Sequence, residues 1–409
     1  MEKIRTIDLF AGCGGLTEGF AQTGLYDTRA CVEWESAQCH NLAKRLKEKW
    51  NMNDAAQRVI RFDIQRTQEL LDGFSDAEYG ESVGLNTLVS DHLDLVIGGP
   101  PCQAYSIAGR IRDEHGMKND YRNYLFESYL RVVEHFRPKA FVFENVPGLL
   151  SAKPGDIPIV KLIQQQFSEA GYIILPDLHD AVIDVVEFGV PQKRKRIILL
   201  GLNRDIYGDV AYDMLHRFYS DILPSFKSGK KTLRDAIADL PGLYPAGSVL
   251  TSANGQKTSH TIPETEIKNH ISRYHNERDI QLFALLASDI ENGTNQYVSI
   301  EARKALYTEH TGKTSNIHKY NVLRWDEPST TIPAHLCKDG LRHIHPDPKQ
   351  ARTITVREAA RIQTFPDDYE FIGAMTDQYK MIGNAVPPEF ARRLALAIHK
   401  LLFEEKNDG

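Results

Sequence analysis

Arg5-Thr-Ile-Asp-Leu-Phe-Ala-Gly-Cys-Gly-Gly15 is the stretch from which the fold follows most directly. The apolar residues up to Phe10 predict a short buried strand, and the glycines after it predict a tight turn. Residues 16–24 predict a helix that ends at a glycine. A strand, a glycine-rich turn and a helix in this order are typical of the first unit of an α/β sheet.

Strand-like and helix-like segments alternate after this opening. We predict strands at 30–33, just before 63–64, at 93–97 and at 139–143, and helices at 36–49 and 121–136. This alternation predicts a parallel α/β sheet. Residues 172–175 and 196–200 flank a longer connection, and we expect them to form an antiparallel edge.

The regular alternation stops after Gly201. Residues 205–345 are predicted to be loop-rich and form the candidate second domain. Thr355 and Glu358 predict a capping box at the start of a helix that runs to Gln363. A last helix is expected at 388–404.

Composition excludes several classes of protein. The chain has 409 residues, 42% hydrophobic and 25% charged, which suits a globular protein of two domains. It lacks an apolar run long enough for a membrane span and a signal-peptide pattern, so we expect a cytosolic protein. The net charge of −6 means that any nucleic-acid binding must use local patches. The five cysteines include no CxxC pair, so neither a disulfide framework nor a zinc site is predicted, and all except Cys102 are expected to be buried.

The small residues of the first turn indicate a cofactor without phosphates. A GxGxxG pattern starting at Gly12 would end at Thr17, so the third glycine is missing and pyrophosphate binding is disfavoured. Glu33 ends the next strand, where a carboxylate accepts hydrogen bonds from ribose hydroxyls, and Asp63 is placed to accept one from an adenine amino group. S-adenosyl-L-methionine fits this description. A purely structural tight turn is the alternative.

A second segment, Gly98-Gly-Pro-Pro-Cys-Gln-Ala-Tyr-Ser106, directly follows the strand predicted at 93–97. Its prolines stiffen the loop and hold Cys102 at the carboxyl ends of the strands, where a thiolate is a candidate nucleophile. Glu144 follows strand 139–143 at the same edge, and Gln192-Lys-Arg-Lys-Arg196 starts there if 196–200 runs antiparallel. An inert cysteine, a helix-capping glutamate and a solvated basic run are the alternatives. The convergence of all three at one edge favours a reactive site.

The motifs and their order resemble those of the cytosine carbon-5 DNA methyltransferases of bacteria and phages. Asp8-Leu-Phe-Ala-Gly-Cys-Gly-Gly15 resembles the first motif of that family, Gly99-Pro-Pro-Cys-Gln103 its catalytic loop and Glu144-Asn-Val146 its glutamate motif. Further motifs match at Gln192 to Arg196 (QxRxR), Arg352 to Pro366 (the arginine-glutamate helix) and Gly383-Asn-Ala-Val-Pro-Pro388 (the final cofactor loop). Only 205–345 falls outside the motifs, where the family has its variable target-recognition domain.

The resemblance implies a Rossmann-like methyltransferase sheet and a covalent mechanism without a metal. Cys102 would add to carbon 6 of a cytosine flipped out of the duplex, so that carbon 5 takes the methyl group of S-adenosyl-L-methionine and leaves S-adenosyl-L-homocysteine. Glu144 would act at ring nitrogen 3, and Arg196, supported by Arg194, at the ring carbonyl oxygen. The cofactor-binding residues expected from the resemblance are Phe10, Ala11, Gly12, Gly14, Glu33, Trp34, Asp63, Ile64, Gly99, Pro101, Asn384 and Val386.

The expected partner is double-stranded DNA. The polar loop after Cys102 would touch it, with a solvated loop as the alternative, through Gln103, Ser106, Arg110 and Arg112, with Lys118 and Arg122 nearby. Since Asn384 and Val386 would return to the cofactor pocket, we expect a discontinuous catalytic and cofactor-binding domain of 1–204 with 346–409, and a target-recognition domain of 205–345. We expect a monomer of the bacterial cytosol, associated with the nucleoid and without membrane contact. A cognate restriction endonuclease acting on the same site, independent action and a phage origin are all left open.

Three other functions compete with this one. Methylation of an exocyclic amino group typically uses an aromatic residue after two prolines, and here Cys102 follows Pro101. Methylation of RNA shares the catalytic motifs, but the long 205–345 segment favours duplex DNA. A catalytically silent DNA-binding protein would keep the fold, yet every catalytic residue is present.

Overall fold

The computed structural model describes residues 3–101, 125–153, 158–314, 316, 320–338 and 340–404. The strands are β1 (Ile4–Leu9), β2 (Tyr26–Glu33), β3 (Val59–Arg61), β4 (Phe74–Asp76), β5 (Gly80–Ser82), β6 (Leu95–Gly98), β7 (Ala140–Asn145), β8 (Tyr172–Ile173), β9 (Val182–Asp184), β10 (Lys195–Asn203), β11 (Pro245–Thr251) and β12 (Lys257–His260).

The helices between the strands are mostly short. They are α1 (Gly15–Gln22), α2 (Ser36–Glu48), α3 (Ala55–Arg58), α4 (Thr67–Asp72), α5 (Gly84–Val89), α6 (Leu125–Phe136), α7 (Ile159–Glu169), α8 (Arg204–Tyr207), α9 (Val210–Arg217), α10 (Leu233–Ile237), α11 (Glu277–Glu291), α12 (Ile300–Thr311), α13 (Val356–Ile362), α14 (Met375–Asn384) and α15 (Pro388–His399), which continues as a π-helical turn over Lys400–Glu404.

The main sheet has the strand order β3-β2-β1-β6-β7-β10-β8, with β9 also paired to β10. The five neighbouring strands β3, β2, β1, β6 and β7 are parallel to one another. Their apolar runs, such as Leu95-Val-Ile97, are fully buried, as expected for strands covered on both faces. The parallel arrangement places the ends of β1, β2, β6 and β7 at one edge of the sheet.

The predicted antiparallel edge is confirmed. β10 pairs antiparallel with β8 through Leu202 and Ile173, and it also pairs antiparallel with β7. The predicted capping box is confirmed too, with Thr355 Oγ1 accepting from Glu358 N (3.1 Å) and Glu358 Oε2 accepting from Thr355 N (2.7 Å).

The structure adds elements that the sequence patterns did not resolve. A two-stranded hairpin, β4–β5, follows α4. The segment predicted to be loop-rich contains α11 and α12, two helices of 15 and 12 residues. The side chain of the preceding residue, Asn276 or Ser299, caps the N-terminus of each helix. Their apolar faces pack on a core that includes Leu306, Tyr320 and Ile344.

The chain divides into two compact units. The first consists of Met1–Phe188, Arg194–Ser228 and Ala385–Gly409, and the second of Gly189–Lys193 and Gly229–Asn384. Residues 205–228 thus join the first unit, because Tyr219 Oη donates to Ile198 O in β10 (2.7 Å). Residues 346–384 join the second unit, because Arg357 donates to Lys268 O (2.9 Å). These bounds differ from the expected domain bounds at 204 and 346, and the assignment of a role to each domain stays a prediction.

Candidate active site

The turn after β1 is shaped by residues in left-handed backbone conformations. Phe10, Gly12 and Gly14 have φ values of 59°, 59° and 83°. For Phe10 this conformation is uncommon and is a strain of the kind often found at functional sites. A Cβ on Gly14 would lie 2.4 Å from Leu42 Cδ1, and one on Gly15 would lie 2.3 Å from Val386 O. Glycine is therefore required at these two positions for the turn to pack as it does.

Glu33 lies directly beside this turn, as the sequence predicts. Its Oε2 accepts a hydrogen bond from Gly12 N (2.9 Å), and its Oε1 accepts from Trp34 N (2.9 Å) and Glu35 N (2.8 Å). Burial raises the pKa of Glu33 above its ordinary value, although the three N–H groups oppose that shift. The side chain of Trp34 is 51% exposed next to it. The three N–H groups use three of the roughly four lone-pair sites of this carboxylate, and one stays open to a hydroxyl of a ligand.

Two buried oxygens around the turn lack a hydrogen-bond partner among the described residues. Asp8 Oδ1 and Gln38 Oε1 are both in this state, and Gln38 Oε1 is 3.0 Å from where a Gly12 Cβ would lie. Asp8 Oδ2 accepts from Thr17 Oγ1 (2.5 Å), and burial raises the pKa of Asp8 to about 7. Unpaired buried acceptors next to a glycine cradle fit a ligand that carries an ammonium group and hydroxyls. The residues present therefore suit S-adenosyl-L-methionine.

Asp63 and Ile64 follow β3, which ends at Arg61 and thus slightly before the predicted position. Asp63 is partly buried with Oδ1 accepting from Gln65 N (3.0 Å), and Ile64 is buried. Arg61 links this region to two others, since its Nε donates to Trp34 O (3.3 Å) and its Nη1 donates to Glu78 O in the β4–β5 hairpin (2.9 Å). The sequence analysis did not find Arg61, because no motif marks it.

Glu144 and Arg196 form an ion pair. The antiparallel register of β7 and β10 sets Ile198 opposite Glu144, and Arg196 Nε lies 2.9 Å from Glu144 Oε1. The two side chains are only 14% and 13% exposed, so water screens the contact weakly. Burial lowers the pKa of Arg196, and the attraction of Glu144 opposes this.

Arg194 directly precedes β10, the strand that contains Arg196, and its side chain is also buried. Its Nη2 donates to Ala385 O (3.1 Å), and burial together with the charge of Arg196 lowers its pKa, while Glu144 opposes this shift. The three charged groups of the predicted catalytic set that the structure describes, Glu144, Arg194 and Arg196, are thus brought together.

The loop that leads to Cys102 passes close to Glu144. A Cβ on Gly99 would lie 2.7 Å from Glu144 Oε2, and Asn145 Nδ2 donates to Pro100 O (3.3 Å). Pro101 is partly buried and ends this described segment. Cys102, Gln103, Ser106, Arg110 and Arg112 lie outside the described residues, as do Lys118 and Arg122.

The C-terminal segment packs onto the N-terminal turn. Val386 is buried, and α15 packs along α1 so closely that a Cβ on Gly19 would lie 2.4 Å from Pro388 O. Tyr26 Oη also donates to Ala395 O (2.7 Å). Val386 thus reaches the glycine turn as expected. Asn384 is exposed at the end of α14.

Three cysteines other than Cys102 are poor nucleophiles. Cys13, Cys31 and Cys39 are buried thiols, and burial raises the pKa of each, that of Cys39 to about 12. Cys337 is only partly buried, which differs from the expected full burial.

Gln192 is a fully buried residue whose side chain the sequence analysis did not single out. Its Nε2 donates to Gln363 Oε1 (2.8 Å) and its Oε1 accepts from Ile332 N (2.9 Å), while Gln363 Nε2 donates to Ile382 O (2.6 Å). The first glutamine of the Gln192 to Arg196 motif therefore has a structural task within the second unit. Its place in that motif was the available signal.

Comparison with known families identifies the chain. The family model described as C-5 cytosine-specific DNA methylase matches residues 4–400. The chain belongs to this family. The methylase is 35% identical to the type II methyltransferase M.Bpa9945I of Bacillus paralicheniformis, over 97% of this chain and 98% of that protein. It is 31% identical to M.DdeI of Desulfomicrobium norvegicum, over 96% and 88%.

Solved structures share the fold. A chain described as a DNA modification methyltransferase encoded in an E. coli prophage superposes with a TM-score of 0.62 at 22% identity, covering 98% of the methylase and 99% of that chain. The S. pombe Dnmt2 methyltransferase gives 0.54 at 15% identity, covering 99% and 100%. The methylase thus has the Rossmann-like fold of S-adenosylmethionine-dependent methyltransferases with an antiparallel edge, as predicted.

Membership defines the reaction class. The methylase is a DNA (cytosine-5-)-methyltransferase, and its methyl donor is S-adenosyl-L-methionine. Among the described residues, no group of three or more His, Cys, Asp or Glu side chains could hold a metal ion. Over the same residues, no helix has the length and apolarity needed to cross a membrane.

Proposed function

We propose that the methylase uses Cys102 to attack carbon 6 of a cytosine flipped out of a specific duplex sequence, and then methylates carbon 5. The observation that carries this proposal is the buried contact of Arg196 Nε with Glu144 Oε1 (2.9 Å) beside Gly99, three residues before the cysteine. A carboxyl group and a guanidinium at that spacing suit the two adjacent polar groups of a cytosine ring, nitrogen 3 and the carbonyl oxygen.

Each residue then has one task. The Cys102 thiolate forms a bond to carbon 6, and the ring electron pair displaced by this addition makes carbon 5 nucleophilic. Glu144 holds a proton at nitrogen 3, and Arg196, oriented by Glu144 and supported by Arg194, stabilises charge on the carbonyl oxygen. Loss of the carbon-5 proton then expels the Cys102 thiolate and restores the ring, so that the enzyme is regenerated.

The donor would be held at the glycine turn. S-adenosyl-L-methionine supplies an electrophilic methyl group and leaves as S-adenosyl-L-homocysteine. Glu33 would accept from the ribose hydroxyls and Asp63 from the adenine amino group, with the exposed Trp34 ring against the adenosine. The remaining contacts are assigned to Phe10, Ala11, Gly12, Gly14, Ile64, Gly99, Pro101, Asn384 and Val386.

The substrate would be double-stranded DNA, and its sequence would be read mainly by the second unit. The loop with Gln103, Ser106, Arg110 and Arg112 would contact the DNA near the flipped base. Because similar proteins are named type II methyltransferases, we assign the methylase to a restriction-modification system with a cognate endonuclease that cuts the same site. It would act as a monomer in the bacterial cytosol.

A trapping experiment tests the nucleophile. Duplex DNA with 5-fluorocytosine at the target position cannot lose the carbon-5 substituent as a proton, so the enzyme should remain covalently attached in the presence of the donor. The target is first found by bisulfite sequencing of DNA from cells that express this gene alone. Cys102→Ser should give no adduct, whereas the matched control Cys337→Ser should trap normally. An adduct in Cys102→Ser would refute the assignment, and methyl transfer to RNA but to no DNA would refute the substrate.

A further inference from the structure

Three arginines lie close together in the second unit, around one apolar core. Arg303 belongs to α12, and Arg324 and Arg342 belong to two segments joined by a parallel bridge between Val322 and Ile344. Further backbone bonds join these segments, from Asn321 N to Leu341 O (3.0 Å) and from Leu323 N to Ile344 O (2.9 Å). Their shared core fixes the positions from which the arginines project.

Arg303 is held in place by neutral oxygens. Its Nη1 donates to Tyr320 O and to Asn321 Oδ1 (both 3.1 Å), its Nε donates to Ser299 O (3.3 Å), and its Nη2 donates to Val298 O. Asn321 Nδ2 in turn donates to Arg342 O (3.2 Å). These bonds orient the guanidinium, but none of them comes from a carboxylate.

The charge in this region is largely uncompensated. Among the described residues, no carboxylate oxygen lies within 4.0 Å of a guanidinium nitrogen of Arg303 or Arg342. Arg324 has Glu327 Oε1 at 3.8 Å, but the other oxygen of Glu327 is bound by Lys193 Nζ at 2.7 Å. Partial burial, with repulsion from Arg324 and Arg342, lowers the pKa of Arg303. Gathering like charges costs free energy that an anion would recover.

We propose that Arg303, Arg324 and Arg342 form a binding site for a phosphate of the DNA backbone, which adds affinity without reading sequence. The inference rests on the proposed function, because it assumes that the second unit binds the duplex DNA that the enzyme methylates. It adds DNA-contacting residues to those expected in the sequence after Cys102.

The fixed geometry of Arg303 favours a phosphate over a base. An arginine that reads guanine must extend and present two free donors to the base edge, whereas four of the donor contacts of Arg303 are already made to protein oxygens. A cluster of three positive charges also matches the dense negative charge of a phosphodiester better than a neutral base edge. Arg324, which is exposed, and Arg342, which is partly buried, would make the direct contacts.

The test measures binding of duplex DNA by the full chain over a series of salt concentrations, using the duplex that the enzyme methylates and a scrambled duplex of equal composition. In the double variant Arg324→Gln with Arg342→Gln, Kd should rise by the same factor for both duplexes. The slope of log K against log salt should fall by about 0.9 for each phosphate that the variant no longer neutralises. Arg303 is left intact because its side chain ties three backbone carbonyls.

Lys268→Gln is the matched control, since it removes one positive charge from an exposed position of the same unit and should leave the slope unchanged. An unchanged slope in the double variant, or a weakening limited to the methylated duplex, would overturn the phosphate site. A third result would also overturn it. If inorganic phosphate at constant ionic strength stabilises the wild type, while the slope of log K against log salt for DNA binding is normal in the double variant, the site takes a free ion and not a DNA phosphate. Methyl transfer by the wild type is measured in parallel, so that failure of the proposed function is seen separately. If the wild type binds no DNA, both proposals fall.

Discussion

The contact between Arg196 and Glu144 makes a residue-level prediction. In Arg196→Lys the ammonium loses the planar guanidinium geometry that contacts the Glu144 carboxylate and that the proposed mechanism also uses for the ring carbonyl oxygen. We expect kcat for methyl transfer to fall by about 100- to 1000-fold, as for the loss of one preorganised donor. Binding of S-adenosyl-L-methionine should be unchanged, which isothermal titration can check.

The neighbouring residue provides the control for this change. Lys195 is exposed, so Lys195→Gln alters the same strand without touching Glu144. A normal kcat in Arg196→Lys, or an equal loss in Lys195→Gln, would count against the assigned role.

Sequence motifs predicted most of these residues because their chemistry imposes spacing along the chain. Glu144 lies near the end of β7 and Arg196 near the start of the antiparallel β10, so strand order was enough to bring them together. Arg61 and Arg303 were not predicted, because their partners Trp34 O and Tyr320 O are backbone atoms that leave no residue-type signature. Contacts of this kind depend on tertiary packing, and a pattern in the sequence does not record them.

At the level of elements, the β4–β5 hairpin is tied to the Trp34 segment, which we propose contacts the cofactor, through Arg61. Arg61 donates to Trp34 O and to Glu78 O, so its removal should loosen the Trp34 segment. We expect Arg61→Ala to raise KM for S-adenosyl-L-methionine while leaving kcat and KM for DNA nearly unchanged, and Arg61→Lys to recover part of the effect. Steady-state kinetics with each substrate varied in turn will measure this.

Arg58 directly precedes β3, the strand that contains Arg61, and serves as the comparison. It pairs with Asp27 (2.7 Å) and Asp54 (2.8 Å), away from Trp34. Arg58→Gln should therefore lower Tm without changing KM for the donor. If both arginine variants raise that KM equally, the effect is general loosening of the fold and the bracing role of Arg61 is wrong.

The contact of α1 with α15 leaves no space for a side chain at Gly19. A Cβ there would lie 2.4 Å from Pro388 O and 2.5 Å from Ala391 Cβ. Gly19→Ala should therefore destabilise the protein by about 1–3 kcal/mol, as overpacking does. Urea unfolding will report the change, and Gly229→Ala, where no atom lies within 4 Å, should be neutral. Equal stability of the two variants would contradict the tight packing.

For the whole molecule, buried histidines of the second unit and the buried Asp8 of the first unit should contribute to stability with opposite pH dependence. In the second unit, burial lowers the pKa of His260, His275 and His345 from 6.5 to about 4, 2 and 3. The unfolded chain binds protons on these side chains at a higher pH than the folded chain does. Stability of this unit is therefore present above about pH 6.5 and is lost as the pH falls toward the folded values.

Asp8 in the first unit has the reverse effect. Its folded pKa of about 7 exceeds the ordinary 3.8, so its contribution is lost as the pH rises between these values. Hydrogen exchange at pH 7.5 and pH 5.5 should show faster opening of the second unit at the lower pH. His260→Gln, which cannot titrate, should weaken this dependence, and His335→Gln, at an exposed position, should not. An identical pH response of wild type and His260→Gln would refute the explanation.

The packing of α15 on α1 also determines when, during translation, the first unit can finish folding. Tyr26 and Ala395, which share a hydrogen bond, are 369 positions apart, so at about 5–20 residues per second the ribosome needs roughly 20–70 s to deliver the second partner. Until then the nascent chain carries α1 with its glycine-lined face uncovered. The first unit can therefore complete its packing, and methylation activity can appear, only after α15 has been translated.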